Sequence, residues 1–86
     1  MTERLNEIKN RVKQYILDEF LPGEKSEALK DDTEMITDGI LDSLSTMKLV
    51  SFLESEFSIS IAAYDVDADN FNKLSDISAL VERKLT

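Results

Sequence analysis

Ser43 has the clearest chemical setting of any residue in this chain. It follows Asp38-Gly39-Ile40-Leu41-Asp42 and precedes Leu44. The run from Leu44 to Phe57 contains neither Gly nor Pro and predicts a helix of about four turns. Asp42 is a good N-cap residue, because its carboxylate accepts backbone N–H groups that the first helical turn leaves unpaired. Ser43 then sits on that first turn, with its hydroxyl at the positive end of the helix dipole. A phosphate attached there is favoured by charge and by nearby N–H donors.

Other chemistries are excluded or weak. The chain has no His and no Cys, which removes Ser–His and Cys–His nucleophilic catalysis, disulfides and thiolate metal sites. Asp65-Val66-Asp67-Ala68-Asp69 opens like a calcium loop of the EF-hand type, with Asp76 at the twelfth position. However, Asn70 stands where that loop needs Gly, Lys73 brings a positive charge, and Asp76 is shorter than the bidentate Glu. No specific metal site is expected, only weak divalent binding by crowded carboxylates.

A helical wheel divides the run after Ser43 into two faces. With Ser43 at zero and about 100° per residue, Thr46, Leu49, Val50, Leu53 and Phe57 share one arc, the spacing of a buried stripe. Ser43, Leu44, Met47, Ser51 and Glu54 fall on the neighbouring arc. If the first arc is core, the second is a surface with two apolar side chains beside one hydroxyl, which is the character of a docking face. The alternative is that Leu44 and Met47 only widen the core stripe.

Asp42-Ser43-Leu44, preceded by Gly39-Ile40-Leu41 and followed by a helix ending Leu53-Glu54-Ser55-Glu56-Phe57, resembles the acyl carrier proteins and the related peptidyl carrier proteins. The resemblance runs from about Leu5 to Leu85. It includes the approach Asp32-Thr33-Glu34-Met35, Asp69-Asn70-Phe71, and the closing Leu80-Val81-Glu82-Arg83-Lys84-Leu85. It implies that a phosphopantetheinyl transferase moves a 4′-phosphopantetheine arm from coenzyme A onto Ser43, flanked by Asp42 and Leu44. The arm's thiol then holds an acyl or aminoacyl group as a thioester, loaded by an adenylating ligase or an acyltransferase. Leu44, Met47, Ser51 and Glu54 are the implied partner contacts, with Glu54 and Glu56 meeting basic residues. The protein is then not an enzyme but an obligate partner of biosynthetic enzymes. Carriers of ordinary fatty acid synthesis usually have acidic residues where this chain has Ser45 and Lys48, which favours a freestanding, specialised carrier for polyketide, nonribosomal peptide or related biosynthesis. A fatty acid or D-alanyl carrier is the alternative within the family; an unmodified helical adaptor is the alternative outside it.

The elements that must position Ser43 follow from the rest of the chain. Leu5, Ile8, Val12, Tyr15, Ile16 and Phe20 have helical spacing and predict a first helix over Glu3–Phe20, with Thr2 as cap and Leu21-Pro22-Gly23 as stop. The long connection from Pro22 to Asp42 carries apolar anchors at Leu29, Met35, Ile36, Ile40 and Leu41. It is expected to be ordered, with a helical turn near Asp31–Met35 and a positive φ at Gly39. Ser58-Ile59-Ser60-Ile61 alternates like a strand but has no pairing partner, so it reads as an extended connector. A short helix within Val66–Phe71 and a last helix from a Ser75 cap, buried along Ile77, Leu80, Val81 and Leu85, complete an all-α four-helix bundle with a long first loop and a short third helix.

Composition and charge are consistent with one small domain over residues 1–86. Hydrophobic residues make up 42% of the chain, enough for a core. Two Gly and no Trp favour helices over a sheet. A chain of this size buries about 60–65% of its unfolded surface. The net charge of −8 is uneven. Residues 1–17 carry +2, residues 18–76 carry −11, and the remainder +1. An acidic middle disfavours nucleic acid and steers basic protein surfaces toward itself. With no apolar leader and no long apolar run, a cytoplasmic monomer without membrane insertion is expected.

Overall fold

The computed structural model describes residues 2–85, apart from the side chains of Thr2 and Ser26. Among the described residues four α-helices run in chain order: α1 Thr2–Phe20, α2 Ser43–Phe57, α3 Ala68–Phe71 and α4 Leu74–Leu85. Single 3₁₀ turns at Ser26–Ala28 and Ala63–Asp65 lie in the first and second connections. Among the described residues there is no strand, as expected for an all-α bundle. The expected Thr2 cap lies outside the described side chains.

The helices form where sequence and packing agree. Ile8, Val12 and Ile16 of α1 are buried on one stripe, and α1 packs most extensively along α4. Leu49 and Leu53 bring α2 into the same core, and Phe71 is the buried anchor of the one-turn α3. Fully burying side chains of this size contributes about 1.5–3 kcal/mol each, which stabilises helices too short to persist alone. Contact between α1 and α2 is sparser and relies on aromatics. Tyr15 stacks on Phe52 with ring centroids 4.1 Å apart, and its hydroxyl donates to the Lys48 carbonyl at 3.3 Å.

Several boundaries differ from the sequence expectation. The last helix starts at Leu74, so Ser75 lies inside it and is not its cap. Leu74 is completely buried, and the free Ser75 N–H donates to the Asp31 carbonyl in the long loop at 3.2 Å. The loop thus performs the capping expected of a serine hydroxyl. Leu85 is 39% exposed and drops out of the buried stripe. Thr46 and Phe57 are only half-buried. The helical turn of the first connection lies at Ser26–Ala28, not Asp31–Met35. The second connection is as expected: Ile59 and Ile61 pack against the core without forming a strand, after Ser58 ends α2 in a left-handed conformation with φ 54°.

The basic N-terminal segment does not form a free cationic face. Arg4 faces Glu82 at 3.8 Å, Lys9 pairs with Asp31 at 2.7 Å, and Arg11 bridges Glu7 at 3.0 Å and Glu56 at 3.1 Å. These pairs lie at the surface, with Lys9 and Glu82 half-buried, and the exposed Arg11 pairs contribute little alone. Two of the pairs, Lys9–Asp31 and Arg11–Glu56, set cations of α1 against the acidic middle of the chain.

Candidate functional site

The first connection delivers Ser43 to the start of α2 through a chain of fastenings. Leu29, Met35 and Leu41 are buried to 2% exposure or less, so the loop is held by apolar anchors. The Leu41 N–H returns to the Met35 carbonyl at 3.0 Å, closing the turn that contains Gly39. Gly39 has φ +83° with open space around its Cβ position. Its requirement is therefore conformational, since other residues rarely adopt that φ.

Asn72 is a positioning residue that the sequence did not reveal. Its side-chain carbonyl accepts the Ile36 N–H at 2.8 Å and the Thr37 N–H at 3.2 Å. Its backbone carbonyl accepts the Met35 N–H at 2.7 Å, and its amide Nδ2 donates to the Thr37 hydroxyl at 3.3 Å. Asn72 is the cap following α3, so it ties the loop before Ser43 to the junction of α3 and α4. Asn72→Ala is expected to cost about 1–3 kcal/mol, because the half-buried Ile36 N–H and the exposed Thr37 N–H lose their acceptor. Urea melts give the cost, and faster amide exchange at Ile36 and Thr37 identifies its origin. No local sequence signal marks this asparagine; its partners are 35 and 36 residues away.

At the helix start, Asp42 has extended φ −102°, ψ −170°, and its carboxylate accepts the Ser45 N–H at 2.8 Å. The first helical bond runs from the Thr46 N–H to the Asp42 carbonyl at 2.9 Å. Ser43 is exposed on the first turn, and Leu44 and Met47 beside it are 66% and 60% exposed. The two-face reading of α2 thus holds for Leu49, Val50 and Leu53 inside and for Leu44, Met47 and Ser51 outside. Glu54 is half-buried, and its carboxylate accepts the Ile61 N–H at 2.8 Å. An open-sided cavity of about 500 Å³ lies between the start of α2 and the segment before α3. Ser43, Thr46 and Met47 line one side, Val66, Asp67 and Ala68 another, and Ile36, Leu41 and Phe71 contribute apolar surface.

The acidic segment resembling a calcium loop is committed to structure. Asp67 caps α3 by accepting the Asn70 N–H at 2.9 Å. The Asp65 carboxylate accepts from Lys84 at 2.8 Å and from the Ala62 N–H at 3.1 Å. Among the described residues no group of three or more carboxylates is arranged to hold a metal ion. The pinned segment carries Val66, Asp67 and Ala68, so α4 fastens one wall of the cavity.

Two carboxylates lie below the ordinary aspartate range. Asp42 is lowered chiefly by the Ser45 N–H, and Asp65 chiefly by the Lys84 ammonium. A lowered pKa in the folded state means that folding favours the ionised form. The stabilisation is complete above the unfolded value of about 3.9 and is lost as pH falls through the lower folded values. The stability gaps separating wild type from Asp42→Ala and from Asp65→Asn should therefore be constant near neutral pH. Both should narrow below about pH 4, as read from urea midpoints across a pH series.

No protein-family model matches the chain, but individual proteins do. It is 32% identical over 76 residues to the "Probable acyl carrier protein PigG" of a Serratia species, covering 88% of this chain and 86% of that protein. It is 31% identical over 78 residues to the acyl carrier protein of Akkermansia muciniphila, covering 91% and 92%. A D-alanyl carrier protein of Lactococcus lactis is 34% identical over 53 residues, covering 62% of this chain and 67% of that one. The fold matches a chain in a crystal structure of an FAD-dependent dehydrogenase with TM-score 0.74, at 24% identity and covering 81% and 97% of the two chains. The helix order, the capped serine at the start of α2 and the near full-length likeness to carriers converge: this chain belongs to the acyl carrier protein family.

Proposed function

We propose that the protein carries an acyl or aminoacyl group as a thioester on a 4′-phosphopantetheine arm attached to Ser43. The observation that supports this best is the Ser43 hydroxyl itself: exposed, at a helix start capped by Asp42, beside two exposed apolar side chains and an open cavity. In arm transfer, the serine oxygen bonds to the pantetheine phosphate of coenzyme A, the adenosine bisphosphate half leaves, and the serine proton passes to a base on the transferase. The arm supplies the thiol that holds the cargo.

The chain's own residues fit that attachment. Ser43 has no side chain crowding it from the solvent side, and the N-terminus of α2 offers the favourable end of the helix dipole to a phosphodiester. Asp42 keeps the first turn formed, so the hydroxyl is presented in one geometry. Leu44 and Met47 offer apolar contact to the enzymes that approach it. The protein performs no chemistry of its own in this reading; a transferase, a loading ligase or acyltransferase, and later biosynthetic enzymes are its partners. Lys48 and Ser45, standing where carriers of fatty acid synthesis are usually acidic, favour a freestanding role in polyketide, nonribosomal peptide or related biosynthesis.

Treatment with coenzyme A and a broad-specificity phosphopantetheinyl transferase is expected to raise the intact mass by one arm, with peptide mapping locating it on Ser43. An adduct on Ser45 or Ser51 overturns the assignment, and an unmodified chain overturns the carrier reading.

A further inference from the structure

Helix α2 carries a net charge of −1, one cation against two carboxylates. Its two carboxylates are both occupied: Glu54 accepts the Ile61 N–H at 2.8 Å, and Glu56 is paired with Arg11 at 3.1 Å. Lys48 is the single cation of the helix and is exposed. Among the described residues its ammonium has no hydrogen-bond or ion-pair partner. At about 100° per residue, Lys48 projects within about 60° of Leu44, Ser51 and Ser55 and about 100° from Met47. Leu44, Met47, Ser51 and Ser55 are all exposed. The face beside Ser43 is thus apolar at Leu44 and Met47, carries the half-buried Glu54 carboxylate on the Ser43 arc, and is positive at its Lys48 edge. On the far side of Met47, the helix-capping residues Asp42 and Asp67 line the cavity, so the face is acidic at its other edge.

We infer that Lys48 is a specificity-determining residue of this face, and that the enzymes acting on Ser43 meet it with an apolar surface bearing a carboxylate at the Lys48 edge. The inference rests on the reading of Ser43 as the attachment point. The net charge of −8 attracts basic surfaces from afar, but at physiological salt the Debye length is about 8 Å. In the docked complex the nearest unscreened charge therefore decides. A partner with Lys or Arg at that edge meets an uncompensated like charge, which costs affinity and slows encounter. A partner with Asp or Glu there gains a pair that no intramolecular carboxylate competes for. The opposite signs at the two edges also fix which way round a partner sits.

The test is a set of charge reversals at fixed physiological salt. The probe is coenzyme A with a phosphopantetheinyl transferase whose carrier-facing surface is basic, each basic residue of that surface being reversed to Glu in turn. Carrier wild type and Lys48→Glu are compared as substrates by kcat/KM. Lys48 is exposed and unpartnered, so both carriers should share one melting temperature. One reversed transferase is expected to modify wild type about tenfold faster than its parent does, and Lys48→Glu about tenfold more slowly, so that the preference crosses over. Parallel rates, in which Lys48→Glu changes every transferase by one common factor or none, overturn the inference while leaving the carrier reading intact. Failure of every transferase to modify wild type overturns both.

Discussion

Ser43→Ala is expected to take no arm at all while folding as the wild type does. The substitution removes one exposed hydroxyl, and the hydrogen bonds at this helix start belong to the Asp42 carboxylate and carbonyl, not to the serine side chain. The helix start should therefore survive, with a change in stability within about 0.5 kcal/mol, the range for surface substitutions. Arm transfer should fall below detection, because the atom that forms the new phosphate bond is gone. Intact mass after transferase treatment and a urea melt on the same sample check the two halves together. A folded variant that still gains an arm places the attachment elsewhere. A variant that loses the arm because it has unfolded would make Ser43 structural, contrary to its exposure.

The second large effect separates the two faces of α2. Leu53→Ala should cost about 2–5 kcal/mol, since a completely buried leucine leaves both lost transfer energy and a residual cavity. That is a large share of the stability of a domain this small, for which about 5–15 kcal/mol is typical. Met47→Asp lies on the same helix but 60% exposed, and should cost less than about 1 kcal/mol in folding. Its effect should appear in transfer rates instead, because an aspartate at the centre of an apolar contact must be desolvated by the enzyme that docks there. Urea melts and arm-transfer rates on both variants decide the matter. If Met47→Asp unfolds the domain as severely as Leu53→Ala, Met47 is core and the docking face does not exist. If it folds and is modified at the wild-type rate, the transferase does not use that face.

The acidic segment shows how a local motif yields to its surroundings. Asp65, Asp67 and Asp69 have the spacing of cation ligands, yet Asp65 is drawn to Lys84 and Asp67 to the backbone of α3. These contacts pin the segment that walls the cavity. The same economy applies to Glu54, placed by the wheel among partner contacts, whose carboxylate holds the Ile61 N–H in the connection after α2.

Features that depend on near neighbours were legible in the amino-acid sequence. The α2 stripe through Leu49 and Leu53, the Asp42 cap, the positive φ of Gly39 and the stop at Pro22-Gly23 each follow from residues within a turn or two. Such interactions are encoded by spacing of about 3.6 residues or by single-residue backbone preferences. Even the ordered character of the first connection was legible, because Leu29, Met35 and Leu41 are too apolar to leave in water. Other features depend on partners far along the chain and emerge only on folding. The last helix starts at Leu74, and its Ser75 N–H is received by the Asp31 carbonyl, over forty residues earlier. Asn72 became a clamp because loop backbone 35 and 36 residues away needed its carbonyl. Lys48 stays unpaired on α2 because its helical neighbours Leu44, Ser45, Ser51 and Phe52 carry no carboxylate and the fold brings it none from elsewhere among the described residues. A sequence reports which groups need partners; only packing brings distant ones within hydrogen-bond reach and so decides which of them remain free at the surface.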